Sequence, residues 1–364
     1  MMSVDALVRD HIRNLNPYEP VLPFEVISQE LGIPIENIVK LDANENPYGP
    51  LPAAREALAT LQFPHIYPDS QSQILAAAIA ERIAVPPAHI LPGAGADELI
   101  DLTMRLFINP GDGVLTCPPT FGMYAFDTSI HAGHFIEVHR KADFALDVAA
   151  VEQAVSRWKP KLLFIASPNN PDGGLMSRQE FERLAALPVV LVVDEAYVEF
   201  AGDDVSVIRD VPHRKNVIVL RTFSKWAGLA GLRVGYGVFP ESLLPHLRKI
   251  KQPYMVSAAA NAAALASLEH AGELDAIGQK LILERTRLLQ GLEAIRYLEP
   301  YPSHANFILC QVTGRDAARL KAALRKQGIL IRYFRTRGLE DHIRISVGRP
   351  EDTRAVLAAL REWE

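Results

Sequence analysis

Between residues 53 and 220 two hydrophobic patterns take turns along the chain. Apolar residues three and four apart predict amphipathic helices over 53–61, 70–84, 96–107, 120–132, 147–157 and 177–186. Between them, short apolar runs rich in Val, Ile and Leu predict strands over 89–92, 113–116, 134–138, 161–166, 189–193 and 216–220. Alternation of this kind predicts an α/β fold with a largely parallel sheet. The chain ends follow another rhythm. Residues 1 to about 16 predict a short amphipathic helix ended at Asn16-Pro17-Tyr18, and Glu25 to Leu31 a second, stopped by Gly32 and Pro34. Ile38 to Asp42 reads as a strand running into a turn-rich loop, Ala43 to Pro50. Near 240 the pattern becomes mainly helical, Pro253 breaks it, and an alanine-rich helical segment covers roughly 257–294. Residues 303–364 read strand, helix, strand, strand, helix. The expected organisation is an N-terminal arm and part of a small domain (1–50), a large domain (51–257), and a connecting helix with the rest of the small domain (258–364).

Composition narrows the class. A chain of 364 residues exceeds what one hydrophobic core usually serves, which agrees with two unequal domains. A formal net charge of -5 argues against nucleic acid as the main partner, so any anion site must be local. Two distant cysteines, Cys117 and Cys310, give neither a disulfide framework nor zinc spacing, and a cytoplasmic protein is expected. The first fifteen residues carry charge throughout, without the apolar core of a secretory signal, and no run approaches a membrane span. The histidines, including His131 and His134, lack H-E-x-x-H spacing, and no metal is expected.

Candidate chemistry gathers at the strand ends, where open α/β sheets bind ligands. The stretch from Lys215 to Gly237, KNVIVLRTFSKWAGLAGLRVGYG, opens as a buried strand and closes in glycines that let backbone and ligand approach. Thr222, Ser224 and Lys225 follow the strand, with Arg233 eight positions beyond the lysine. A lysine amine attacks carbonyls, and two hydroxyls with a planar arginine fork hold a phosphate dianion. One small molecule with both groups is pyridoxal 5'-phosphate (PLP). Read alone, Lys225 is equally compatible with a solvated surface lysine.

Four further strand ends bear on that choice. Gly93 and Gly95 lead into a helix starting near Ala96, whose free N–H groups favour a phosphate, although a plain helix-start turn reads the same. Glu98 stands where a dinucleotide fingerprint needs its third glycine. Phe121, after Pro118-Pro119, suits stacking on a pyridine face or an ordinary core position. Ser167 to Gly174 packs prolines, asparagines and glycines after an apolar strand, as a generic turn or as a source of an amide for a phenolate oxygen. Asp194 ends five apolar residues, where an acid is costly unless paired. A protonated pyridine nitrogen is one partner and a helix cap another, and Tyr197 could reach the ring oxygen. Together the strand ends carry every group PLP needs.

The chain resembles the fold-type-I PLP-dependent aminotransferases of the class I/II group and, within it, the histidinol-phosphate aminotransferase family. The segments that carry the likeness span nearly the whole chain: Asn16-Pro-Tyr18, Leu41-Asp-Ala-Asn-Glu-Asn-Pro47, Tyr67-Pro68, Gly95-Ala-Asp-Glu98, Pro118 to Tyr124, Ser167-Pro-Asn-Asn-Pro171, Asp194-Glu-Ala-Tyr197, Thr222-Phe-Ser-Lys225, Gly231-Leu-Arg233 and Ile343 to Gly348. The resemblance implies a mostly parallel sheet of the seven-stranded type flanked by helices, with a smaller α+β domain from both chain ends. It implies that Lys225 joins the cofactor carbonyl, that Asp194 pairs the pyridine nitrogen, that Asn169 and Tyr197 contact the ring oxygen, and that Phe121 stacks on the ring. Ala96 and Asp97, through their backbone, with Thr222, Ser224 and Arg233, would hold the phosphate. Tyr67 would reach that phosphate from a neighbouring subunit, which makes a homodimer the expected assembly. Tyr18, Asn44, Arg332 and Arg344 would line the substrate side.

The implied reaction is transamination between L-histidinol phosphate and 2-oxoglutarate, giving imidazole-acetol phosphate and L-glutamate, in histidine biosynthesis. Two departures stand out: Phe121 replaces the family's usual Tyr, and Asp172 the usual Thr of the asparagine loop. A threonine-phosphate decarboxylase or an aromatic aminotransferase shares the lysine and fold. A PLP-binding transcriptional regulator would need a basic helix-turn-helix ahead of the α/β region, and only about 50 residues, not notably basic, precede it.

Overall fold

The structure, a computed structural model, describes residues 3–15, 17 and 22–363. Twelve strands run through the described residues in two sheets. The smaller sheet joins β1 (Val39–Leu41) to four late strands, and the larger sheet is built from β2 (Ile90–Gly93), β3 (Gly113–Thr116), β4 (His134–Glu137), β5 (Leu162–Ala166), β6 (Val190–Asp194), β7 (Val217–Thr222) and β8 (Gly235–Val238). The larger sheet runs in the order β2-β8-β7-β6-β5-β3-β4. Its pairs from β4 to β7 are parallel, and β8 runs antiparallel to both neighbours. β5 shows why the strands read as unbroken apolar runs. Leu163 and Ile165 pack into the core on one face, Leu162 and Phe164 into the core on the other.

The six helices expected between 53 and 186 are present, from Pro52–Ala59 to Arg178–Ala185, and the expected span 96–107 is Ala96–Phe107. Three expectations are corrected. Residues 3–15 form no single helix: a 3-10 turn, Val4–Leu7, precedes a four-residue turn, Asp10–Arg13. Val4 and Leu7 are exposed, and so short a helix does not persist without an apolar face to bury. The alanine-rich segment divides at His270 into Ala258–Glu269 and Ala271–Glu293. Gly235–Val238, whose glycines mask a strand pattern, is β8. Those glycines are packing requirements: a Cβ on Gly235 would lie 2.7 Å from the Arg221 carbonyl oxygen, and one on Gly237 2.3 Å from the Phe239 ring.

The smaller sheet is completed by β9 (Leu298–Pro300), β10 (Phe307–Val312), β11 (Ile329–Tyr333) and β12 (His342–Ser346), in the order β1-β11-β12-β10-β9. β1 pairs in parallel with β11, Val39 opposite Ile329, so residues near both chain ends share one sheet. The core on one face of the large sheet continues into this sheet through Phe307, Ile331, Ile343 and Ile345. No helix among the described residues is long and apolar enough to cross a membrane.

One ionic group ties the ends of β6 and β7 together. The Glu195 carboxylate accepts from Arg221 Nε at 2.9 Å and Nη2 at 2.8 Å, and from the Val207 N–H at 2.8 Å. The Arg221 and Glu195 side chains are only 9% and 2% exposed, so removing one partner strands a buried charge. Arg221→Ala should therefore cost about 3–5 kcal/mol, read as a lower denaturant midpoint at unchanged slope.

Candidate active site

The C-terminal ends of β5, β6 and β7 and the start of the helix Ala96–Phe107 open on one cavity with about 660 Å³ of empty space, including its mouth. Lys225 follows β7 at its inner wall. Its Nζ donates to the Ala43 carbonyl at 3.1 Å, and its side chain is partly accessible through the cavity. Burial, followed by the charge of Arg344, lowers the amine pKa to about 8, against the opposing pull of Glu45 and Asp97. Arg233 adds a smaller push in the same direction.

Asp194, at the end of β6, is buried on the opposite wall. Its Oδ2 accepts from the Tyr124 hydroxyl at 2.7 Å and its Oδ1 from the Ala196 N–H at 3.0 Å. Burial raises its pKa to about 6, although both hydrogen bonds favour the ionised form. A carboxylate held this way gains from a cationic N–H partner.

A third corner is built for an anion. Thr222 Oγ1 donates to Ser224 Oγ at 2.8 Å, and Arg233 Nη1 lies 3.5 Å from the same Ser224 oxygen. The helix Ala96–Phe107 starts here with its unpaired N–H groups. Gly95 has φ +87°, and a Cβ there would lie 2.7 Å from Arg233 Nη2, so only glycine lets the guanidinium cross the turn. Arg233 also pairs with Asp97 at 2.8 Å, both side chains being 47% exposed.

Phe121 lines the cavity, its ring edge-on to Tyr124 at 5.6 Å. The Tyr197 hydroxyl accepts from Asn44 Nδ2 at 3.1 Å. Asn44 is fixed in turn: its N–H donates to Ser346 Oγ at 2.9 Å, its Oδ1 accepts from that hydroxyl at 2.9 Å, and its carbonyl accepts from Asn306 Nδ2 at 3.0 Å.

The asparagine loop differs from the sequence expectation. Asn169 is fully buried and turned away from the cavity. Its Oδ1 accepts from Thr120 Oγ1 at 2.7 Å, and its Nδ2 donates to the Pro119 carbonyl at 3.0 Å and to Asp172. Asn170 lines the cavity instead. Its Oδ1 accepts from Arg344 Nη1 at 2.5 Å, which leaves the amide N–H₂ as the group it offers the cavity. Two adjacent asparagines are visible in the sequence, but which one turns inward depends on the loop.

Arg344 also donates from Nη2 to the Asp42 carbonyl at 2.9 Å and lies over the Phe307 ring at 5.0 Å. Arg332 stands directly opposite Arg344 in the β11–β12 register, so both arginines project from one face of the sheet. Two like charges in that relation repel, and neither arginine is part of the cavity lining. Tyr67 lies outside the cavity, 79% exposed and stacked on Tyr254 at 4.6 Å. Tyr18 falls outside the described residues. Sequence reasoning gave no role to the Ala43 carbonyl, Tyr124, Asn170, Asn306 or Ser346. Only Tyr124 carried a usable signal, an aromatic three residues after Phe121 within the span predicted as a helix over 120–132. Among the described residues no group of His, Cys, Asp or Glu could hold a metal ion.

Residues 36–360 match the family model for aminotransferase class I and II. The chloroplastic histidinol-phosphate aminotransferase of Nicotiana plumbaginifolia is 49% identical over 360 residues, which cover 99% of this chain and 87% of that protein. The histidinol-phosphate aminotransferase of Roseiflexus castenholzii is 50% identical over 368 residues, covering 99% of each. Among solved structures, the histidinol-phosphate aminotransferase from Sinorhizobium meliloti in complex with pyridoxal-5'-phosphate superposes with a TM-score of 0.89 at 28% identity, over the full length of both chains.

Proposed function

Because the chain belongs to the class I and II aminotransferases and, within them, to the histidinol-phosphate aminotransferase family, we propose that it binds PLP and moves the amino group of L-histidinol phosphate to 2-oxoglutarate. The products are imidazole-acetol phosphate and L-glutamate, and the step belongs to histidine biosynthesis. The observation that carries this reading is the sharing of one cavity by the Lys225 amine, the buried Asp194 carboxylate and the Thr222–Ser224–Arg233 corner. Those three groups fit a carbonyl, a pyridine nitrogen and a phosphate.

The bound cofactor supplies an electron sink for the charge left when the substrate loses its α-proton. The rest falls to the chain's own residues. Asp194 holds a proton on the ring nitrogen. Thr222, Ser224, Arg233 and the backbone of Ala96 and Asp97 fix the phosphate. Phe121 covers one ring face, and Tyr197 and Asn170 reach the ring oxygen; Asn170 takes the place expected of Asn169. Lys225 Nζ would hold the cofactor at its carbonyl carbon, with loss of water, and as the free amine would take the proton from the substrate α-carbon. Arg344 and Arg332 would take the anionic end of either substrate, a phosphate in one half-reaction and a carboxylate in the other, with Asn44 beside them on the substrate side.

A second copy of this chain brings Tyr67 to the phosphate corner. The exposed Phe63, Ile66, Tyr67 and Tyr254 supply apolar surface for that homodimer. A reducing compartment such as the cytoplasm suits two buried, free cysteines.

The test is an absorbance spectrum of the purified protein before and after L-histidinol phosphate, with no amino acceptor. Loss of the lysine-bound cofactor band with formation of pyridoxamine phosphate is expected. A cofactor band that does not respond would overturn the substrate, and threonine phosphate and aromatic amino acids would then be tried. The lowered Lys225 pKa gives a pH prediction. The neutral amine is the nucleophile, and its fraction rises with pH through about 8. Capture of PLP by the apoprotein should slow about tenfold for each pH unit below that point, followed by stopped-flow absorbance. A rate independent of pH across this range would count against Lys225 as the attacking group.

A further inference from the structure

We propose that Asn169 and Asp172 form a positioning clip that sets the spacing of the two loops facing the cofactor ring, and through them the seat of Arg344. This rests on the PLP reading above.

Asn169 lies at the meeting point of the two loops. Towards one, its amide takes the Thr120 hydroxyl at 2.7 Å and gives an N–H to the Pro119 carbonyl at 3.0 Å. Those residues immediately precede Phe121. Towards its own loop, the same amide donates to Asp172, whose Oδ2 accepts the Gly174 N–H at 2.8 Å. Backbone bonds from Asn169 N to Gly174 O at 2.8 Å and from Gly173 N to Asn169 O at 2.7 Å close the loop on itself. Asn170, the next residue, is thereby held where its Oδ1 meets Arg344. The loop is also docked on the small sheet: the His304 N–H donates to the Gly173 carbonyl at 2.9 Å, two residues before Asn306, which holds Asn44.

The chemistry of residue 172 matters to this arrangement. A carboxylate is an acceptor with two oxygens, so it binds the Asn169 amide and the Gly174 N–H together. It also fixes which way the Asn169 amide faces, because only the N–H₂ end can point at it. That leaves the Asn169 oxygen for Thr120. Asp172 is 3% exposed, so its two bonds are made without competition from bulk water. Gly174 belongs to the same device: a Cβ there would lie 2.5 Å from Asp172 Oδ2.

Asp172 is a positioning residue, and the test must separate positioning from stability. Asp172→Asn keeps the shape, but its single amide oxygen serves only one of the Asn169 and Gly174 donors and turns an N–H₂ towards the other. In the holoenzyme, KM for L-histidinol phosphate should rise about tenfold, with kcat changing less than about threefold. The visible circular dichroism of the bound cofactor should fall by roughly half as the ring loses its fixed setting. Thr120→Val, which leaves residue 172 untouched and cuts the clip at its other end, should move both readouts in the same direction, and it decides the matter if Asp172→Asn fails to fold. A lower melting temperature with wild-type KM and dichroism in either variant would overturn the clip. A wild-type protein with no cofactor band would overturn the PLP reading itself and the clip with it.

Discussion

Lys225→Ala should reduce transamination by about 10⁴-fold or more while leaving the fold intact. The amine is asked to do two jobs, binding the cofactor carbonyl and moving the α-proton, and among the described residues no other amine lines the cavity. Arg233 and Arg344 carry guanidinium groups, not amines, and cannot stand in. The protein should remain at least as stable, because burial disfavours the charged amine, as its lowered pKa shows. The measurement pairs steady-state turnover with a thermal melt. Turnover within about a hundredfold of wild type would remove Lys225 from the mechanism.

Asp194→Asn should lower kcat by about 10³-fold, the scale of losing a preorganised charge at the reacting group. The amide cannot hold a proton on the ring nitrogen by charge. It is also a poorer fit to its surroundings. The carboxylate accepts from Tyr124 with one oxygen and from the Ala196 N–H with the other. An amide serves one of them and turns an N–H₂ towards the other, so about 1–3 kcal/mol of stability should be lost as well. Comparison with Tyr124→Phe separates the two effects. That variant removes one hydrogen bond yet keeps the charge, so kcat should fall far less. Equal losses in the two variants would show that the hydrogen bond, not the charge, carries the effect.

The sequence made the large sheet and its helices legible because both depend on local periodicity. The alternation from 53 to 220 gave the parallel strands, and the span 96–107 matched a helix residue for residue. What stayed hidden depends on partners far along the chain. β8 carries glycines because Arg221, Ala96 and Phe239 crowd it, and a pattern rule reads such glycines as loop. The choice between Asn169 and Asn170 is made by Thr120, Pro119 and Arg344, none of them near in sequence. Arg344 and Arg332 were both named by the family resemblance, but their alignment emerged only from the β11–β12 register. The carbonyl of Ala43 could not have been foreseen, since every residue has one.

The bond from Asn44 to Ser346 joins residues 302 positions apart. On a ribosome adding ~5–20 residues each second, roughly 15–60 s separate the birth of the two partners. Over that interval the large sheet gains all its strands, from β2 to β8, whereas Arg344 and Ser346, which bond to Asn170 and Asn44, come only at its end. A chain truncated before β12 would therefore carry its lysine without the Asn44–Ser346 and Asn170–Arg344 bonds.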